Sequence, residues 1–511
     1  MAMQPALDPQ IRQLQALLAT LPPDVLAKAT YGLSGSPVTG LTYYDLEEEA
    51  KVFVPEITPL VGLIPRVKGK GGTATNWQVI TALNSDRLPM GVAEGARGGV
   101  MDIQTSRQTA PYATIGIESS LTFEQDLAAM GFEDMKALST RNLLQVARIG
   151  EEALDVGGNL DVVLGTTPTV AGTPSNTGGT LTNAHGAYHV RCVALTLQAW
   201  RRATMVKGVP VQHTYTLGNG VSQTVNGGAA KVSADATVTI AAGTTGSADL
   251  IVTAVPGAVA YAWFAGDNAT TTCLLFAITT VNEVLLTDPP GAIIAASGFA
   301  TAVGTNFDTD RSTNDLVYNG LISIISKAGS GSYVKSLDNT KLTSDGAAGC
   351  VEVNTLLRTM WDTVKVTPTI MLMNAQELVD LSDLVVKNGG APIIRMQMDA
   401  NSSTPGMATI TAGTVVGFYL NKTAQGGGQI LKVILHPDIP PGMILFYSER
   451  ISYPVPGVVN IIQVKTQEEW RQIEWPLVTR EHQYGVYARQ VLQCYYPPAF
   501  AMLYNIAPQA S

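Results

Sequence analysis

"FEDMKALSTRNLLQVARIGEEALDVGGN", Phe132 to Asn159, is the strongest helix signal in the chain. Met135, Leu138, Val146, Ile149 and Ala153 recur at the three- and four-residue intervals that gather side chains on one helix face, and Gly157-Gly158 supplies the stop. The usual 3.6-residue repeat makes this a helix of about seven turns. Its other face carries Lys136, Arg141, Arg148, Glu151 and Glu152, either a solvated row or an inter-subunit salt-bridge surface.

Around this helix lies a chain of 511 residues, more than one hydrophobic core usually serves, so two or three domains are expected. Charged residues are only 14% and mean hydropathy is positive. Apolar runs such as "GAIIAASGFATAVG", 291 to 304, are too short and glycine-rich to cross a bilayer. So little charge fits a surface that copies of the same chain cover, because obligate interfaces resemble a core cut in half. The formal charge of -9 and the lack of a basic run exclude a general affinity for nucleic acid. Cys192, Cys273, Cys350 and Cys494 form no CxxC, and nothing at the N-terminus resembles a signal peptide, which points to synthesis in a reducing cytoplasm with the thiols as small core hydrophobes.

Upstream of the helix, "DPQIRQLQALLATLPP" offers Asp8 as N-cap, Pro9 at the first helical position and Ile11, Leu14, Leu17 and Leu18 on one face: a short amphipathic arm that packs on its own subunit or waits for a partner. From Val52 to Ile117 the apolar segments are short and broken by glycine, as expected of hairpin-like strands. Residues 84 to 107 are polar and glycine-rich and could bury no core of their own, which makes them the tip of a projecting arm. There Arg87, Arg97 and Arg107 alternate with Glu94 and Asp102, a pattern suited to pairing across subunits.

Downstream, between about Asp161 and Asn306, Thr, Gly, Ala, Val and Ser dominate and period-2 runs such as "KVSADATVTI", "SADLIVTAV" and "AVAYAWFAG" alternate with glycine turns. That composition predicts an all-β sandwich insert resembling a fibronectin type III or immunoglobulin-like domain, with Trp263 as core aromatic. "GAYHVRCVALTLQAW" reads as a strand that normally comes late in that fold, so the strand order is left open. After Asn306 helix signals return in "STNDLVYNGLISIISKAG" and "VEVNTLLRTMWDTV". "TPTIMLMNAQELVDLSDLVVKNGG" then gives a strand and a helix with Asn374 as N-cap and Glu377 completing a capping box. The last 80 residues or so read as strands ending in an aromatic-rich segment.

No catalytic, cofactor-binding or metal constellation emerges. His185 and His189 lack the glutamate of HExxH, "KGKGG" at 68 to 72 lacks the spacing of a phosphate loop, and Ser332 with Lys335 matches SxxK without its partner motifs. Adjacent carboxylates such as Glu151-Glu152 diverge around a helix axis and make no acid/base dyad. The chain is therefore expected to be no enzyme.

An N-terminal arm, a projecting hairpin, a long helix ending in "EEALDVGGN", an α+β domain with "NGLISIISK" and "PTIMLMNAQELVDL", and a close on "PPAFAMLYNI" together resemble the major capsid protein of tailed bacteriophages, the Hong Kong 97 fold, over about 360 residues outside the insert. The resemblance divides the chain into an N-terminal arm (1–50), N-terminal strands and extended loop (51–117), the spine helix of a peripheral domain (118–160), the inserted sandwich (161–306), a return to the peripheral and axial regions (307–350), an axial domain (351–461) and C-terminal strands (462–511). It implies that Trp77 to Tyr112 is the extended loop and Phe132 to Val156 the spine helix. Candidates for contact between subunits are Trp77, Arg87, Glu94, Arg97, Asp102, Arg107, Lys136, Arg141, Arg148 and Glu151. It further implies homo-oligomeric pentamers and hexamers tiling an icosahedral shell around double-stranded DNA, without sequence-specific binding or a membrane. A separate scaffolding protein and a portal follow from the same likeness, with room for a decoration protein, and so does a place in the virion after assembly in the host cytoplasm. Some members crosslink through a loop lysine, whereas no lysine occurs from Gly71 to Met135, which removes that chemistry. A reading from a different class treats the sandwich as the working part of an adhesive or carbohydrate-binding surface protein.

Overall fold

The computed structural model describes residues 53–83, 91–129, 134–183, 187–217, 219–266, 273–288, 299–300, 305–346, 349–387, 396–397, 409–410, 417–423, 428–451, 453, 455, 457–477 and 479–509. The N-terminal amphipathic arm and Arg87 fall outside them. The architecture is α+β with mixed sheets.

The long helix spans Met135–Gly157, and Asp134 caps it by accepting from the backbone N–H groups of Lys136 and Ala137, each at 3.0 Å. Its end is set by packing. A Cβ on Gly157 would stand 2.2 Å from Leu197 Cδ2, and one on Gly158 2.3 Å from the Tyr318 carbonyl oxygen. The buried stripe differs from the sequence expectation: it runs through Leu143, Ala147, Glu151 and Asp155, whereas Val146 is exposed. Hydrophobic periodicity misplaced the face because its lower half is built of carboxylates paired inside the fold.

That helix lies on a four-stranded sheet ordered Arg66–Lys68, Ile462–Glu474, Glu481–Cys494, Ala113–Thr122, in which the first pair is parallel and the others antiparallel. Leu143 meets Leu121, Tyr484 and Val486 there. A six-stranded sheet follows, ordered Tyr333–Thr340, Ala501–Ile506, Ile444–Tyr447, Ile370–Met373, Gln429–Leu435, Phe418–Asn421. Its central strand Ile370–Met373 alternates: Met371 and Met373 join Leu356, Leu357 and Leu381 of the helices Val351–Val364 and Ala375–Lys387, while Ile370 and Leu372 face a second core with Leu445 and Met502. Asn374 accepts from Gln376 N at 3.2 Å as a cap should, but the expected capping box is absent: the Glu377 carboxylate accepts from Gly442 N at 2.5 Å instead. Burial pushes the Glu377 carboxyl up to about 7.

Within 161–306 two sheets face each other. One is ordered Ala236–Val238, Tyr188–Leu195, Ala260–Gly266, Leu274–Thr279; the other Glu283–Leu286, Ser247–Ile251, Ala171–Ser175. Between them pack Tyr188, Leu250, Tyr261 and Trp263, whose indole N–H donates to Thr279 Oγ1 at 2.8 Å. The "GAYHVRCVALTLQAW" stretch is a strand only to Leu195; Leu197–Arg202 then turns into a short helix covering the sheet's back face with Val209, Ala229 and Phe307. The strand itself is central, beside Ala260–Gly266. The chain leaves and rejoins the rest side by side: Asn314 N donates to Asn159 O at 2.8 Å, and Asn159 Nδ2 to Ser312 O at 2.9 Å.

Candidate functional site

The hairpin Ala74–Ala82 with Gln104–Pro111 is a two-stranded sheet that pairs with no third described strand, in register from Ala74↔Pro111 to Ala82↔Gln104. Its strands reach about 30 Å at the usual rise per residue. Among the described residues, only the root is held. Thr75 is buried, Trp77 sets its ring edge-on to Tyr495 at 6.0 Å between centroids, and Gln467 Nε2 donates to Gly72 O at 3.0 Å.

Beyond the root, apolar side chains face outward: Ile80, Leu83, Val92, Val100, Met101 and Ile103, with Val100 89% exposed. Phe53, 92% exposed, Val54 and Ile57 extend the same character through the segment ahead of the helix Pro59–Leu63. Isolated surface hydrophobes are ordinary, whereas a run this dense forms an exposed apolar patch.

The charged candidates divide into two groups. At the tip, Glu94, Arg97 and Asp102 are exposed and paired with no described residue; Arg107, opposite Gln78 in the register, is likewise free, as is Arg141 on the long helix. The remaining three are engaged within the chain: Lys136 with Glu474 at 2.8 Å, Arg148 with Glu56 at 2.9 Å, and Glu151 with Arg66 at 2.5 Å. Arg141 stands with the exposed Leu144 in a surface groove along the outer side of the long helix, so that face adds a second open region.

Sequence reasoning missed the anchor beneath this arm. Glu151 and Glu152, expected on a solvated face, are both buried. Glu151 meets Arg66, Gln490 and the Trp470 indole N–H. Glu152 accepts from Leu60 N and Val61 N, each at 2.7 Å, and contacts His436 Nε2 at 2.6 Å. Asp438 N donates to His436 Nδ1, which places the ring proton on Nε2 and makes it the donor to Glu152. One turn on, Asp155 accepts from the Tyr318 hydroxyl at 2.7 Å. Burial, then the Glu151 charge, raise its carboxyl well above the carboxylate range. Their partners lie 85 to 339 residues away, so no local spacing could have announced them. The arrangement is a bolt that fixes the helix Pro59–Leu63, and with it the root of the hairpin, to the end of the long helix.

Among the described residues no group of three or more His, Cys, Asp and Glu is placed to hold a metal ion, and no helix is long and apolar enough to cross a membrane.

No protein-family model and no curated protein matches the chain. Solved structures do. The chain is similar to the holo-SrpI encapsulin of Synechococcus elongatus at 10% identity, covering 90% of this chain and 92% of that one with a TM-score of 0.38. A Gordonia phage Cozz chain is 6% identical over 94% and 98%, with a TM-score of 0.40. A chain of the cyanophage A-1(L) capsid is 10% identical over 92% and 98%, with a TM-score of 0.39.

Proposed function

We propose that this chain is a non-enzymatic shell subunit, the major capsid protein of a tailed phage, which assembles through pentamers and hexamers into an icosahedral head around double-stranded DNA. The observation that carries the reading is the hairpin: anchored by a buried bolt at one end, it holds out an apolar row that its own subunit leaves uncovered. Such a row is stabilised when a neighbouring copy takes it out of water, and many copies multiply a modest contact into a durable assembly. The element order read from the sequence supports the same conclusion. In this reading the insert, tethered where its two ends meet at Asn159 and Asn314, is displayed on the outside of the shell, and separate scaffolding and portal proteins direct assembly in the host cytoplasm.

Negative-stain images of the purified chain, alone or with its scaffolding protein, should show closed particles or five- and six-membered rings. A chain that stays strictly monomeric at high concentration, with the hairpin intact, would overturn the proposal.

A further inference from the structure

Three carboxylates, Glu151, Glu152 and Asp155, are buried within the last two turns of the long helix, each at most 1% exposed. Among the described residues one permanent cation is within ion-pair distance of them: Arg66, which pairs with Glu151. His436 adds no charge in this geometry, because its Nδ1 accepts from Asp438 N and its single proton is on Nε2, toward Glu152. Three ionised carboxylates would therefore stand against one guanidinium in a water-poor interior. A folded chain relieves such an arrangement by keeping a proton on one of the three.

Hydrogen-bond donors decide which. Glu151 accepts from Arg66, Gln490 Nε2 and the Trp470 indole N–H, and Glu152 accepts from Leu60 N, Val61 N and His436 Nε2. Asp155 has a single donor, the Tyr318 hydroxyl at 2.7 Å, which itself accepts from Gln490 Nε2 at 3.3 Å. Its Oδ2 is buried and meets no described partner. An O–H at that oxygen costs far less than a bare buried charge. Glu151 and Glu152, four and three residues back on the same helix, repel a charge at Asp155, and so do the helix's own C-terminal carbonyls. Of the other titratable groups in range, Arg66 favours the charge but is claimed by Glu151, and burial keeps Tyr447, from the six-stranded sheet, a neutral hydroxyl.

The place of this acid gives its proton a structural role. Tyr318 belongs to the stretch by which the chain returns from the insert, and beside it Gly320 N donates to Gly158 O and Gly158 N to Leu154 O, each at 2.8 Å. The contact between Asp155 and Tyr318 is the buried fastening of that joint. We infer that Asp155 is a neutral acid in the native subunit at neutral pH and that its ionisation is a switch: loss of the proton drives the joint open, water reaches the carboxylate, and the base of the insert is released from the long helix. The closed joint binds the proton more tightly than the open one. Its stability is therefore full below the ordinary carboxylate range and is lost as pH rises through the higher value that Asp155 has in the fold.

Hydrogen exchange of the full chain, followed at the Gly158 and Gly320 amides and corrected for the intrinsic effect of pH, tests this. The opening constant of the joint should rise about tenfold per pH unit above pH ~4 and level off once Asp155 ionises in the closed state. Asp155→Asn keeps an acceptor for Tyr318 and is neutral at every pH, so its opening constant should be flat over the same range. The infrared difference between wild type and Asp155→Asn at neutral pH should contain the band of one protonated carboxyl. Should Asp155→Asn fail to fold, Tyr318→Phe takes its place: removing the one donor to the ionised form should move the plateau to higher pH. The same slope in wild type and Asp155→Asn, a carboxylate band in the difference spectrum, or a plateau that Tyr318→Phe leaves in place overturns the inference. All of these are read on single subunits, so none depends on whether the chain builds a shell.

Discussion

The hairpin and the insert use apolar residues in opposite ways. In the insert every residue of the strand Ala260–Gly266 is buried, one face against Tyr188 and Leu250 and the other against Val193, Ala199 and Phe307. In the hairpin the alternation that should hide one face hides only its root, and Ile80, Val100 and Met101 stand in water. The first region carries its own core; the second leaves its apolar side chains uncovered by the described residues. A chain with 14% charged residues can hold both because uncovered apolar area is concentrated in a few projecting segments.

The largest effect should come from emptying the insert's core. Trp263→Ala removes a fully buried ring and its hydrogen bond to Thr279 and should cost about 4 kcal/mol in urea denaturation. Hydrogen exchange should speed up in Tyr188–Leu195 and Ala260–Gly266 while the hairpin root stays as it was. Equal loosening of both would show that the insert is not self-sufficient and would break the contrast. Next in size is the bolt. Glu152→Ala leaves Leu60 N, Val61 N and His436 Nε2 without their acceptor and should cost about 3 kcal/mol, releasing the hairpin root first. Protection that survives there would mean the root is held by Trp77 and Gln467 alone.

How far the sequence carried these points depends on the range of the interactions involved. The long helix was legible because its signals are local: the helical spacing and the Gly157-Gly158 stop lie within one stretch. The helix Val351–Val364 and the strand Ile370–Met373 were equally plain. Trp263 stood out as a core aromatic in a period-2 run, and it is buried. The bolt was hidden for a definite reason: Glu151 and Glu152 look like surface residues until Arg66, His436 and Gln490 arrive from distant parts of the chain. Glu377 misled for the same reason, since a capping box and a tether to Gly442 share one local sequence. The apolar character of the arm was diluted by its glycines and became visible only once exposure was known. The arm's intersubunit role stays a proposal.

A smaller change in stability with a larger change in behaviour is expected on the arm itself. Val100→Ser with Met101→Ser should alter folding stability by no more than about 0.5 kcal/mol, because these side chains touch little in the subunit. Sedimentation should nonetheless show association weakened by at least about tenfold, the equivalent of 1.4 kcal/mol. Arg97→Glu should act in the same direction and chiefly on the rate of association, with a steeper effect at low salt. Folding and association falling together in either variant would place the arm inside its own subunit's core.

The smallest and most local contrast is chemical. Cys192 and Cys273 lie within the insert, both buried, and burial is the main cause that pushes the Cys273 thiol up to about 11 and the Cys192 thiol well above its usual range. At pH 8 a thiol near 11 is about one part in a thousand thiolate, so alkylation of the native chain should be slow and should follow opening of the sheets. Trypsin acting on the same sample should cut the hairpin tip at the exposed Arg97 long before either cysteine reacts. Once subunits associate, cleavage at Arg97 should slow while the alkylation rate stays unchanged, since only the arm gains a cover. If association instead protects the thiols and leaves Arg97 open, the insert is the clamp between subunits and the two regions exchange roles.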